Sequence, residues 1–220
     1  MFVGCVLTNY KLLDLENVVS ERLSAEWRQG AQRWGACLGK TAKRPRQSKN
    51  IKRKQGTYGS AYNFGQQRSE CIGPVESAPE VVAACLREAK VRAAKDGVDP
   101  DLYTVAHVNW YDNGNVGLGF HQDNQDQMVV GLPIYSFSLL SGGPEYRYFT
   151  VAFERFLLAG AAVAAEIPLM HGDCLVMEGG FQTELFHGLQ PTTRKAFKTQ
   201  RRINITVRAW KPDGSLSAKT

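Results

Sequence analysis

The stretch Arg202-Ile203-Asn204-Ile205-Thr206-Val207-Arg208 alternates polar and apolar without a break. Successive side chains on a strand point to opposite faces, so Arg202, Asn204, Thr206 and Arg208 share one face and Ile203, Ile205 and Val207 the other. An ordinary half-buried strand hides its apolar face and wets its polar one. This polar face is also suited to lining a pocket that holds an acid, because a guanidinium meets a carboxylate with a rigid two-toothed fork. A strand rises about 3.3 Å per residue, so Arg202 and Arg208 stand roughly 20 Å apart along it and cannot both grip one carboxylate unless their side chains converge.

The neighbouring sequence is of the same kind. Leu102 to Tyr111, Ile134 to Leu140, Glu145 to Phe153, Cys174 to Glu178 and Leu185 to Leu189 read as strands, with breaks at Asp112-Asn113-Gly114-Asn115, Ser141-Gly142-Gly143-Pro144 and Gly179-Gly180. Short strands, Gly/Pro turns and no regular helix after residue 100 predict an all-β sandwich or barrel core. Helices are expected before it. Val81, Val82, Cys85, Leu86, Ala89 and Val91 give Pro79 to Lys95 an apolar face, with Gly97 just beyond its end. Leu13, Leu15, Val18, Val19, Leu23 and Trp27 fall near helical spacing in a preface. The fold class is therefore mainly β with flanking helices (α+β).

The second constellation is His121-Gln122-Asp123. A His and an Asp two residues apart on a strand point to one side and can bind one metal ion together, and His187 is the candidate third ligand. Two imidazoles and a carboxylate on one face of a metal leave the opposite face open, as in the non-haem Fe(II) oxygenases. Zn(II) accepts the same ligands. His171, which opens a His-Gly-Asp turn, is the rival ligand. His107, Asn109 and Tyr111 share a strand face, and His107 reads as a hydrogen-bonded core histidine.

Lys40 to Lys54 holds eight basic residues and no acid. Such a run is a solvated loop, a nuclear address or an arm that contacts phosphates, and Lys49, Lys52, Arg53 and Lys54 are the candidates for a nucleic-acid backbone. Tyr58, Tyr62 and Phe64 follow it between glycines, and aromatics beside cations suit base stacking. A net charge of +6 also favours acidic partners. Five scattered cysteines without CxxC spacing read as free thiols in a reducing compartment, nucleus or cytoplasm. No apolar run approaches a membrane span, and the start lacks the basic region of a signal peptide. A monomer is the expected state.

HxD, a later His and R-x-N-x-T-x-R together resemble the AlkB family of Fe(II)/2-oxoglutarate dioxygenases. Asn109-Trp110-Tyr111 resembles that family's N-x-Y, and Arg53-Lys54-Gln55-Gly56-Thr57-Tyr58-Gly59 resembles the segment that opens the nucleotide-recognition lid of the eukaryotic AlkB-homologue DNA demethylases. The resemblance spans roughly residues 50 to 211. It implies a double-stranded β-helix, or jelly roll, and Fe(II), 2-oxoglutarate and O2 as cofactor and co-substrates. His121, Asp123 and His187 would hold the metal. Asn109, Tyr111, Arg202, Asn204, Thr206 and Arg208 would form the 2-oxoglutarate pocket, with Arg202 on the far carboxylate. Tyr62 and Phe64 would meet the base. The family often places an acid two residues after the HxD aspartate to meet the exocyclic amine; Gln125 stands there, with Asp126 next to it.

The implied activity is oxidative demethylation of N-alkylated bases, such as 1-methyladenine and 3-methylcytosine, in DNA or RNA. Formaldehyde, succinate and CO2 would be the products. A 2-oxoglutarate-dependent hydroxylase of protein or small molecules is the alternative, and a catalytically dead binding module a third reading. The expected layout is a helical extension at 1–39, a basic arm and lid at 40–66, the dioxygenase core at 67–211 and a polar tail at 212–220.

Overall fold

The computed structural model describes residues 19–22, 53–64, 67–69, 71–153, 163–178 and 180–211. In chain order its strands begin with β1 (Val19–Arg22), β2 (Lys54–Tyr58), β3 (Tyr62–Phe64), β4 (Gln67–Ser69) and β5 (Cys71–Gly73). The helix α1 (Glu80–Lys95) follows, then β6 (Tyr103–Tyr111), β7 (Leu118–His121), β8 (Ile134–Ser141), β9 (Tyr146–Ala152), β10 (Val163–Met170) and β11 (Asp173–Met177). A single turn, α2 (Phe181–Glu184), precedes β12 (Phe186–Leu189) and β13 (Arg201–Ala209).

Seven strands form one sheet in the order β1-β11-β8-β13-β6-β2-β5, and four form a second in the order β10-β9-β12-β7. Strands distant in sequence lie side by side, and the two sheets face each other as a jelly roll, the double-stranded β-helix. The β3–β4 hairpin is a separate two-stranded piece. Among the described residues no helix is long and apolar enough to cross a membrane.

β13 sits in the middle of the large sheet, antiparallel to β6 on one side and β8 on the other. Its alternation now has a physical cause. Ile203, Ile205 and Val207 join one apolar cluster with Val81, Val82, Cys85, Leu86, Ala89 and Ala93 of α1, on the outer face of the sheet. Its polar face is no wetter: Arg202, Asn204, Thr206 and Arg208 are each at most 7% exposed. α1 stops where the sequence sets Gly97. That glycine has φ of 74°, and Val98 and Gly97 donate to the carbonyls of Ala93 and Ala94 at 2.8 and 3.2 Å, the paired bonds that close a helix C-terminus. Between the sheets, Val105, Ile134, Leu175 and Met177 pack with Phe149, Val151, Ile167 and Leu169.

Two expectations are revised. Within the expected helical preface, the described residues are those of β1, an extended strand paired with β11 at the sheet edge; the remainder lies outside the described residues. β2, placed by sequence in the arm and lid, is a strand of the large sheet paired with β6. Lys49 and Lys52, with most of the basic run, and the 212–220 tail lie outside the described residues.

Candidate active site

The strand registers bring the site together. In the small sheet His187 on β12 lies directly opposite His121 on β7. Asp123 follows two residues after His121, and the three ligand atoms lie within 4.8 Å of one another. The Nε2 atoms of His121 and His187 are 3.5 and 3.9 Å from Asp123 Oδ1. Two ligand atoms each about 2.1 Å from one ion can be at most about 4.2 Å apart, so both histidine–aspartate separations admit a shared metal. His121 Nδ1 lies 3.0 Å from the carbonyl of Gly119. A proton held there leaves the Nε2 lone pair bare and aimed at the cluster. Phe149 stacks on the His187 ring at 5.3 Å and Phe181 tilts against it at 5.7 Å.

Asp123 also has a cation. Arg208 donates from Nη2 at 2.6 Å and Nε at 3.1 Å to Oδ2, leaving Oδ1 for the imidazoles. Burial alone raises the carboxyl, but Arg208 and the two histidines outweigh it and hold it well below the usual carboxylate range. Burial pushes His187 down to about 3, and His121 adds to this, so the ring is neutral and available as a ligand. Gln182 accepts the Asp123 backbone N–H at 2.7 Å through Oε1. That buried glutamine, on a one-turn helix, carries no periodic or motif signal in the sequence.

A cavity of about 1080 Å³ opens between the sheets above this cluster. One wall comes from the large sheet, where β13 and β6 set Arg202 opposite Tyr111, Asn204 opposite Asn109 and Thr206 opposite His107. Residues directly opposite in a pair share a face, which is why these six line the cavity together. Asn204 donates to Ser136 Oγ at 2.8 Å and accepts from Thr206 Oγ1 at 3.0 Å. Burial and the nearby Arg208 and Arg53 hold His107 down at about 3.

Arg202 differs from Arg208. Its Nη2 donates to Ser138 Oγ at 2.9 Å and its guanidinium lies 5.5 Å from the Tyr111 ring centre. Its buried Nε has no hydrogen-bond partner, and burial lowers its pKa. Among the described residues no carboxylate pairs with it. A buried guanidinium with an open donor at the end of a cavity fits the carboxylate of a dicarboxylic co-substrate. Arg147 lies behind it, donating to the carbonyls of Gly114, Val116 and Gln190 at 2.9, 3.0 and 3.1 Å.

Tyr62 is buried and lines the cavity, with the Arg208 guanidinium 4.7 Å over its ring and its hydroxyl 3.3 Å from the carbonyl of Asn124. Phe64 is on the same strand, and its side chain lies outside the described residues. Gln125 and Asp126 do not line this cavity. Gln125 faces a small pocket beside Met128 and Gln182, and Asp126 is exposed; Asn124 holds the cavity side of that loop instead. Arg53 also departs from its expected place. It lines the cavity and donates to Asn109 Oδ1 at 3.0 Å. Lys54 is ion-paired with Asp112 at 2.6 Å. His171 lies away from the cluster, with Nδ1 2.7 Å from the carbonyl of Leu140.

The chain belongs to the 2OG-Fe(II) oxygenase superfamily, which it matches over residues 12–208. It is an oxygenase chain, and Fe(II) and 2-oxoglutarate are the cofactor and co-substrate of that class; the ligand set and the open Arg202 donor fit both. It is 28% identical over 163 residues to the human DNA oxidative demethylase ALKBH2, a match covering 72% of this chain and 57% of that protein. That match supports the AlkB resemblance carried by the motifs. The chain thus spans little more than half the length of this curated relative. Among solved structures it is similar to a full-length Neurospora crassa protein crystallised in complex with alpha-KG, at 10% identity, covering 91% of this chain and 79% of that one, with a TM-score of 0.47. It is also similar to a Pseudomonas putida prolyl-4-hydroxylase, at 14% identity, covering 87% and 90%, with a TM-score of 0.45.

Proposed function

We propose that this protein removes N-alkyl groups oxidatively from bases such as 1-methyladenine and 3-methylcytosine in DNA or RNA. The supporting observation is one cavity lined by the His121–Asp123–His187 cluster, by Arg202 with its partnerless buried Nε, and by Tyr62 of β3. The similarity to a human DNA oxidative demethylase supports nucleic acid as the substrate class. In this reading residues 67–211 with β2 are the catalytic core, residues 59–66 the lid, and the basic run before Arg53 the arm that meets phosphates. The protein works as a monomer in the nucleus or cytoplasm.

His121, Asp123 and His187 would hold Fe(II), which with 2-oxoglutarate and O2 would supply the oxidising power for attack on a C–H bond. The protein's own residues do the positioning. Arg202, helped by Tyr111, grips the far carboxylate of 2-oxoglutarate, and Asn109, Asn204 and Thr206 complete that wall. Arg208 fixes the Asp123 carboxylate so that one oxygen stays turned to the metal. Tyr62, with Phe64 by family resemblance, holds the base at the mouth, while Phe149 and Phe181 keep water from the His187 side. Once the N-methyl carbon carries a hydroxyl, the hemiaminal breaks its C–N bond, giving formaldehyde and the unmodified base. The co-products expected of 2-oxoglutarate turnover would be succinate and CO2.

The test is to load the protein anaerobically with Fe(II) and 2-oxoglutarate, then add O2 and methylated oligonucleotides, single- and double-stranded, DNA and RNA. Mass spectrometry should show a loss of one methyl group matched by succinate. Succinate without any loss of methyl would move the substrate to protein or small molecules.

A further inference from the structure

We propose that the side-chain amide of Gln127, seconded by Asn124, is the latch that positions β3 over the metal cluster and thereby sets the affinity for the base. This rests on the nucleobase reading of the cavity. β3 has three residues and pairs with β4 alone, outside both main sheets. An isolated two-stranded hairpin is marginal in water, so its position must come from other contacts. At the β4 end, Thr57 Oγ1 lies 3.3 Å from the carbonyl of Ser69. At the β3 end, the Tyr62 ring packs edge-on against Trp210 and His107 at 5.9 and 5.5 Å, and the strand's backbone is held by side-chain amides.

Gln127 acts as a neighbouring strand would. Its Oε1 accepts the Asn63 backbone N–H at 3.0 Å, and its Nε2 donates to the Ala61 carbonyl at 3.3 Å. Asn124 Nδ2 donates to the Asn63 carbonyl at 3.0 Å, and Tyr62 Oη donates to the Asn124 carbonyl at 3.3 Å. The loop that carries these amides is itself fixed. Asn124 Oδ1 accepts the Asp126 N–H at 2.9 Å, and the Lys211 N–H donates to the Gln127 carbonyl at 3.1 Å. This loop begins at the ligand Asp123. Arg208 ties the same two parts, bonding Asp123 while lying over the Tyr62 ring. The lid strand and the metal-ligand segment therefore hold a common position. Gln127 does not line the cavity, so it is a positioning residue.

Three measurements on Gln127→Met, which keeps length and loses both bonds, and on Gln127→Glu, which keeps the acceptor, test the latch. Exchange of the Asn63 amide hydrogen in the metal-free protein should quicken about tenfold in Gln127→Met, two ordinary hydrogen bonds being lost, and less in Gln127→Glu. Succinate formation from 2-oxoglutarate without nucleic acid should stay within about twofold of wild type, and KM for a methylated oligonucleotide should rise about tenfold with kcat nearly unchanged. Unchanged Asn63 exchange, or faster exchange with an unaltered KM, overturns the latch. Nucleic-acid-free succinate formation falling in step with substrate turnover also overturns it, since Gln127 would then merely support the fold. Wild-type protein that makes succinate but demethylates no oligonucleotide sinks the nucleobase reading instead, a result separable from any behaviour of the variants.

Discussion

Asp123 serves two partners that differ in what they lose when it is removed. Oδ1 faces the imidazoles, and Oδ2 is held by a buried arginine. From the sequence, Asp123 is legible as a ligand, because HxD on a strand puts both side chains on one side. Its bond to Arg208 is not legible, since 85 residues separate the two and nothing in the strand pattern says which arginine converges on what. The pairing changes what a substitution does. Asp123→Ala should abolish Fe(II)-dependent succinate formation and also lower stability, because Arg208, 3% exposed, is left as an uncompensated buried charge; that cost is about 3–5 kcal/mol. Adding Arg208→Met should recover most of the stability and none of the turnover. Urea unfolding of the single and double variants checks this, and a single variant as stable as wild type would mean the ion pair is not held in solution.

At the scale of elements, β13 separates structure from chemistry residue by residue. Its alternation was readable, but the wetting of its polar face was not decided by pattern alone; the cavity wall of β6 makes that face functional. Ile205 is fully buried under α1. Ile205→Ala should cost about 2–5 kcal/mol of stability, with the folded fraction keeping its KM for 2-oxoglutarate. Arg202→Ala, three positions away on the other face, should do the reverse. By analogy with broken buried pairs at about 3–5 kcal/mol, its KM for 2-oxoglutarate should rise by roughly 10²- to 4 × 10³-fold. Arg202→Lys should rescue only part of this, having lost the fork. A KM unmoved by Arg202→Ala would give the far carboxylate to another residue, with Arg53 the next cation on the cavity wall. Arg53 also shows where charge counting misleads. It lies near the end of a basic run that reads as a solvated loop or a phosphate-contacting arm, yet β2 alternation puts it on the face of Gln55 and Thr57, which register against Asn109 and His107. β1 was illegible for a related reason: its pairing with β11 is a tertiary choice that local periodicity does not announce.

At the scale of the whole molecule, joining two sheets around a polar cavity buries ionisable groups, and that makes the metal-free protein sensitive to acid. Burial, with Arg208 and Arg53 close by, lowers His107 from 6.5 to about 3. The unfolded chain takes up that proton below about pH 6.5, whereas the folded protein resists it until about pH 3. Stability is therefore full above pH 6.5 and falls as the pH drops from 6.5 toward 3, with a limiting slope of about 1.4 kcal/mol per pH unit for each such histidine. Between pH 7 and pH 5 one histidine accounts for about 2 kcal/mol. His187, likewise held near 3 by burial, adds a similar amount while no metal is bound. Asp123, held low, acts in the same direction further down, as its stabilisation is lost once the carboxylate takes a proton. His107→Gln should remove one share of the slope, so that the loss of stability between pH 7 and pH 5 shrinks by about 2 kcal/mol relative to wild type. Chemical denaturation at the two pH values, in the presence of a chelator, reads this directly. A variant that loses as much stability as wild type over that range would place the His107 proton uptake in both states alike, and the ring would then be more accessible to water than its 3% exposure implies.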